Sequence, residues 1–138
     1  MSDSSALDMA VVTALTADAA LRTLLPDGIW WNVAPQGRTK FVAIALETAV
    51  DTYEENRAAF EQPVYRIEAV AKESTTATVD AAADRIRIVM GGPLTAVGYH
   101  LMRVDRRERV KHGEHDPGDA AVVWQYHGGL YEIQAEPV

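Results

Sequence analysis

Apolar residues near the N-terminus fall on a helical period. Leu7, Val11 and Leu15 stand at i, i+4 and i+8, and alanines fill much of the rest, which predicts an amphipathic helix. Thr16 followed by Asp18 resembles a fresh N-cap and first turn, and Leu21, Leu24 and Leu25 form a second stripe. A kinked or broken helix is therefore expected over residues 4–25, stopped by Leu25-Pro26-Asp27-Gly28. A second helix is expected over 76–90, with Val79, Ala83, Ile86 and Met90 on one side and Gly91-Gly92-Pro93 as its stop.

Between and after the helices the period changes to two. Phe41–Leu46 is apolar at every position, which fits a strand covered on both faces. Val64–Ala71 alternates, with Tyr65, Ile67 and Ala69 on one side and Arg66 and Glu68 on the other, as a half-buried strand would. Tyr99–Val104 alternates too; Val122, Trp124 and Tyr126 share one face of a later strand, and Leu130–Ala135 supplies a last one. Gly128-Gly129 between these two is read as a tight hairpin, with a bulge in one long strand as the alternative. The order of elements predicts a single α+β domain over 1–138: a mixed or antiparallel sheet with two main helices packed mostly on one face. Long connections are expected at 47–63 and 105–119, and loops of that length are usually functional or disordered.

Ile29–Phe41 reads IWWNVAPQGRTKF and sets Trp30 and Trp31 side by side before a Pro-Gln-Gly turn. On a strand, adjacent side chains point to opposite faces, so only one indole can enter a given core. The other needs a second layer or a partner.

Charge is sorted along the chain. The 138 residues carry 20 acids and 13 Lys and Arg, a net charge of −7, which opposes general phosphate binding. In 47–63 the acids Glu47, Asp51, Glu54, Glu55 and Glu61 outweigh Arg57, whereas in 103–111 the bases Arg103, Arg106, Arg107, Arg109 and Lys111 outweigh Asp105 and Glu108. The basic run lacks the interleaved aromatics of a single-strand reader, and charge on a sheet edge also discourages strand addition. It could alternatively complement the acidic segment of a neighbouring copy.

Catalytic signatures are sparse. Cysteine is absent, which excludes disulfides, thiol nucleophiles and Cys-ligated metals. No Gly-x-Ser-x-Gly elbow, dinucleotide fingerprint or phosphate loop occurs. His112-Gly-Glu-His115-Asp116 has metal-like spacing, but its glycine and proline flanks read as a solvated turn. Glu54 with Glu55, and Asp80 with Asp84, read as solvated faces. The acidic N-terminus lacks a signal-peptide pattern, and the longest apolar run, Phe41–Leu46, is far short of the roughly 20 residues a membrane helix needs. A soluble cytosolic product with no cofactor and no membrane contact is expected.

The order of these segments is similar to that in a known family. ALTADAALRTLL, then GIWWNVAPQG leading into KFVAIALE, resembles the opening of the tail-completion, or tail-terminator, proteins of long-tailed bacteriophages. PVYRIEAVAKESTTATVDAAADRIRIVM resembles their strand and following helix, and WQYHGGLYEIQAE their closing strand pair. The likeness spans roughly residues 10–136 and rests on order and spacing rather than on one motif. The tandem Trp departs from the usual single aromatic, and 105–119 has no assigned counterpart.

The resemblance implies a small α+β domain without catalytic residues. It implies a homo-oligomeric ring, usually a hexamer, which caps the head-proximal end of the tail tube, stops tube growth and meets the head connector or stopper protein. The expected location is the tail or neck of the virion, after assembly from the host cytoplasm, with DNA passing through the lumen unread. On that basis the candidate subunit and tube contacts are Trp30, Trp31, Gln36, Arg38, Lys40, Asp51, Glu54, Glu55, Arg103, Arg106, Arg107 and Arg109. A stopper ring of the neck is the nearest alternative; a metal-dependent hydrolase using His112 and His115, or a nucleic-acid-binding regulator, would belong to different classes.

Overall fold

In the computed structural model, residues 5–54 and 57–138 are described. The first helical stretch is two helices, α1 (Ser5–Ala17) and α2 (Ala19–Leu24). The break falls at Asp18, two residues beyond the expected cap at Thr16. The Asp18 backbone is extended and its side chain accepts from Leu21 N at 3.0 Å, capping α2. Arg85 of α3 (Ala77–Met90) donates to the same carboxylate at 2.5 and 3.1 Å, so the kink is pinned to the third helix. The Arg85 hydrogen bond is the main reason the Asp18 carboxyl lies below the usual carboxylate range.

The strands are β1 (Ile29–Trp31), β2 (Lys40–Glu54), β3 (Arg57–Lys72), β4 (Tyr99–Asp116) and β5 (Asp119–Pro137). They form one mixed sheet in the order β1-β2-β3-β5-β4; β1 lies parallel to β2 and the other pairs are antiparallel. The architecture is the expected α+β arrangement. Leu7, Val11, Leu15, Leu21, Val79, Ile86 and Met90 of the helices meet Val42, Ile44, Tyr65, Ile67, Ala69, Tyr131 and Ile133 of the sheet in one buried cluster. Fully burying one large aliphatic side chain contributes roughly 1.5–3 kcal/mol, so this layer is the main source of stability. A polar link crosses it: the buried Tyr65 hydroxyl donates to Asp8 of α1 at 2.5 Å.

Both expected long connections are strands. The segment 47–63 lies within the antiparallel β2–β3 ribbon, which pairs down to Glu54 and Arg57. The segment 105–119 is the far part of β4, a turn at Pro117-Gly118, and the start of β5. Their polar composition suggested loops, but exposed ribbon strands need no apolar stripe, so periodicity could not register them. Each ribbon overhangs the sheet at a different end. Beyond the Glu61–Ala135 pair β3 continues without β5, and beyond the Lys72–Trp124 pair β5 continues without β3.

The Gly128-Gly129 hairpin is also corrected, because β5 runs straight through it. A Cβ on Gly128 would stand 1.9 Å from the Ile67 carbonyl oxygen, and one on Gly129 would stand 2.7 Å from the Glu108 carbonyl oxygen. These glycines permit the backbones of β3 and β4 to close on β5 from either side; they do not turn the chain. The two inner-strand expectations exchange as well. Val64–Val70 is buried at every position except Arg66, whereas Phe41, Ala43 and Ala45 are only half-buried. The neighbours explain this, since β3 is the central strand of the sheet.

Candidate functional site

The helices cover one face of the sheet, and the opposite face carries its own aromatic surface. Register places Phe41 and Ala43 of β2 beside Val70 and Glu68 of β3, and Val70 and Lys72 beside Tyr126 and Trp124 of β5. The β4 edge adds His112 and Glu114 opposite Tyr126 and Trp124. Phe41 and Trp124 pack at 6.5 Å between ring centroids, and His112 stacks on Tyr126 at 4.4 Å with planes 7° apart. The Trp124 indole donates to Asp116 at 2.9 Å, and this bond is the main reason the Asp116 carboxyl is lowered. Tyr126 donates to Glu114 at 2.6 Å; burial and then this bond push its phenol upward. The carboxylate of Glu68 is buried between Arg66 at 3.6 Å and His112 at 3.9 Å.

At the end of this face near Lys72, the loop from Asn32 to Thr39 rises as a wall. The sequence accounts for its shape: Asn32 has φ 60° and Gly37 has φ 91°, a left-handed region that Asn tolerates and Gly occupies freely. Asp27 clamps the loop's base, its carboxylate accepting from Thr39 N at 2.9 Å and Lys40 N at 3.0 Å. Those backbone bonds, Thr39 foremost, hold the Asp27 carboxyl low. Wall and sheet enclose a groove of about 550 Å³ whose lining includes Pro35, Gln36, Arg38, Phe41, Lys72 and Trp124.

The two tryptophans separate as strand geometry requires. Trp31 pairs with Ile44, lies against the helix-side core and meets Tyr65 edge-on at 6.1 Å. Trp30 pairs with Ala43 on the open face, donates to the Asp27 carbonyl at 2.7 Å and lies under the Arg38 guanidinium at 5.7 Å. Gln36 and Arg38 line the groove, while Lys40 is tied to Glu73 at 2.9 Å. Of the acidic candidates, Glu55 lies outside the described residues, and Asp51 and Glu54 are placed by backbone alone on the β2–β3 ribbon.

The basic run is divided by strand alternation and largely compensated within the chain. Arg103 pairs with Asp105 at 2.5 Å and Arg107 with Glu132 at 3.2 Å. On the helix side Lys111 pairs with Asp80 at 2.9 Å, and Arg106 and Arg109 line a 200 Å³ pocket with Asp84, Arg87 and His127. Asp80 also accepts from Thr76 at 2.9 Å and lies 2.7 Å from His127 Nδ1. Lys111 above all, helped by Thr76 and His127, holds its carboxyl at about 2. The run therefore makes β4 a charged sheet edge, further irregular through register shifts at Leu101/Arg103 and Arg106/Glu108.

The His-x-x-His string lies on β4, where residues three apart face opposite sides. His112 pairs with Tyr126 and His115 with Val123, so the two rings diverge and cannot share one metal ion. The acidic set also shrinks, since Glu47 pairs with Arg66 at 2.8 Å and Glu61 is buried. Sequence reading missed the groove because its floor comes from three strands distant in the chain. Its trace was the shared period of Val70, Lys72, Trp124 and Tyr126.

Fold and surface together define a small sheet-and-helix domain with one clothed face, one open aromatic face and two projecting ribbons. No family model matches the chain, and no curated protein matches it. Among solved structures it is similar to a chain of the virion of a native gene transfer agent particle, with a TM-score of 0.70 and 21% identity over 94% of both chains. At that identity the likeness carries the fold. No helix among the described residues is long and apolar enough to cross a membrane.

Proposed function

We propose that this chain is a structural virion protein, a subunit of the ring that closes the head-proximal end of a phage-type tail tube and meets the head connector. The observation that carries the proposal is the fold match along 94% of both chains to a component of a phage-like virion. The tail-terminator resemblance in the sequence, reached from the order of its segments, supports the same reading. So does the layout of the molecule: an open aromatic face and two ribbons are surfaces for contact with other subunits. Function would be geometric, one side of the ring matching the tube and the other refusing further tube subunits. A net charge of −7 suits a ring through which DNA must pass without adhering.

The test is a deletion of the gene in its parent phage or prophage, complemented in trans, with particles imaged by electron microscopy. Loss of the protein is expected to give tail tubes of uncontrolled length and unjoined heads, and a reconstruction of complemented particles should place a ring of this chain on the tube end. A ring seated on the portal, with tail length unchanged by deletion, would refute tube termination and favour the stopper. Particles that assemble normally without the chain would refute a virion role altogether.

A further inference from the structure

Resting on the ring reading, we infer that the open-face groove is a socket for the acidic β2–β3 ribbon of a neighbouring copy, so that subunits join head to tail. Three observations meet here. The groove has an apolar floor of Phe41, Ala43, Val70 and Trp124 and carries two cations, Arg38 and Lys72, against one acid, Asp116. These cations lie over indoles, Arg38 at 5.7 Å from the Trp30 centroid and Lys72 at 5.9 Å from that of Trp124, instead of in an ion pair among the described residues. Each feels one carboxylate at longer range, Arg38 that of Asp27 and Lys72 that of Asp116, whereas Arg103, Arg107 and Lys111 are held in direct ion pairs.

The ribbon supplies the opposite charge. With Glu47 paired to Arg66 and Glu61 buried, the sequence of the described ribbon strands still carries Asp51 and Glu54 against the single base Arg57.

Placement then decides between self and neighbour. The groove lies at the Lys72 end of β3 and the described ribbon reaches Arg57 at the other end, across a strand of 16 residues. At about 3.3 Å per residue that is roughly 50 Å of paired strand. A ribbon cannot reach its own groove, so the two surfaces meet only between copies. Two different patches at opposite ends make a heterologous contact, which propagates from copy to copy and forms a ring when the rotation between copies closes. Opposite charge would fix direction, since two sockets or two ribbons repel.

The test uses the full chain, whose lack of cysteine makes engineered thiols unique. Thr39→Cys on the groove wall and Glu54→Cys on the ribbon are prepared as separate variants, mixed and oxidised. Mixing is expected to give a covalent heterodimer well above the homodimer of either variant alone. In parallel, sedimentation and native mass spectrometry compare wild type with R38E, K72E, the R38E/K72E pair and R106E/R109E. Groove reversals are expected to weaken self-association roughly tenfold or more, because like charges across a contact are strongly disfavoured. R106E/R109E should have a much smaller effect, and adding E54K to a groove-reversed background should restore assembly. Circular dichroism melts confirm folding; R38E, on the loop, removes no core contact. Rings that survive R38E/K72E without a Thr39–Glu54 cross-link would overturn the socket and leave the ring reading standing. A chain that stays monomeric throughout would overturn both.

Discussion

Gly128→Ala tests the centre of the sheet most directly. The added Cβ would meet the Ile67 carbonyl oxygen at 1.9 Å, Glu68 Cα at 2.7 Å and the Ile67 carbonyl carbon at 2.8 Å. All three are backbone atoms of β3, so no side chain can rotate away and the strands must separate. Overpacking of a tight interior costs about 1–3 kcal/mol. Separating β3 from β5 here also weakens the ladder around Ile67–Gly129 and Glu68–Gly128, at about 0.5–1.5 kcal/mol per hydrogen bond. The expected loss is about 3–4 kcal/mol, a large share of the ~5–15 kcal/mol typical of a domain. Gly113→Ala is the control: its Cβ would approach the Gln125 side-chain oxygen at 2.9 Å, a group able to move. It should cost well under half as much. Urea unfolding followed by circular dichroism measures both. If Gly128→Ala unfolded within about 0.5 kcal/mol of wild type, the close approach of β3 to β5 would be wrong and a turn at Gly128-Gly129 would return.

Three further outcomes are expected. Trp31→Ala should lower stability by about 2–4 kcal/mol in urea titrations, since it empties an aromatic contact at the core, whereas Trp30→Ala should cost about 1 kcal/mol and impair self-association in sedimentation. Tyr65→Phe should cost about 1–2 kcal/mol by removing the hydroxyl that donates to Asp8, and a Tyr65→Phe/Asp8→Asn cycle should show coupling. The Asp80 carboxyl is depressed from 3.8 to about 2. It therefore contributes stability that is present above about pH 4 and lost as pH falls through about 2. Because the Asp80 side chain is 41% exposed, solvent screens the effect and it should be modest. Asp80→Asn should lower the urea midpoint at neutral pH, with the difference from wild type closing between about pH 4 and 2.

The helices were legible because each carries its own period and its own stop: Leu7, Val11 and Leu15 are buried, as are Val79, Ala83, Ile86 and Met90. Strands seated over that layer were legible where one face is apolar and the other polar. The ribbons were not, because two strands paired to each other in solvent impose no hydrophobic pattern, only β-bonding, which leaves no compositional mark. Gly128-Gly129 misled for a related reason: the same dipeptide serves a turn, through positive φ, and a crowded strand, through its missing Cβ. The split of the tryptophans followed from strand parity alone, but which one faces the helices depended on the parallel pairing of β1 with β2. Among the charges, the sequence displayed their sum along each segment; only strand register reveals that much of the basic run is already spent on Asp80, Asp105 and Glu132.

The place of β5 between β3 and β4 sets the order in which this molecule can come together. The β2–β3 hairpin is local and can form early, yet β3 then presents Val64, Ile67 and Val70 along an open edge. That edge closes only when Glu61 finds Ala135 and Lys72 finds Trp124, contacts between residues far apart in the chain. Such non-local pairing makes folding slow and the unfinished sheet prone to aggregation. It also means that Trp124 and Tyr126 reach the open face last, so a newly made chain cannot display its completed aromatic surface until its sheet is whole.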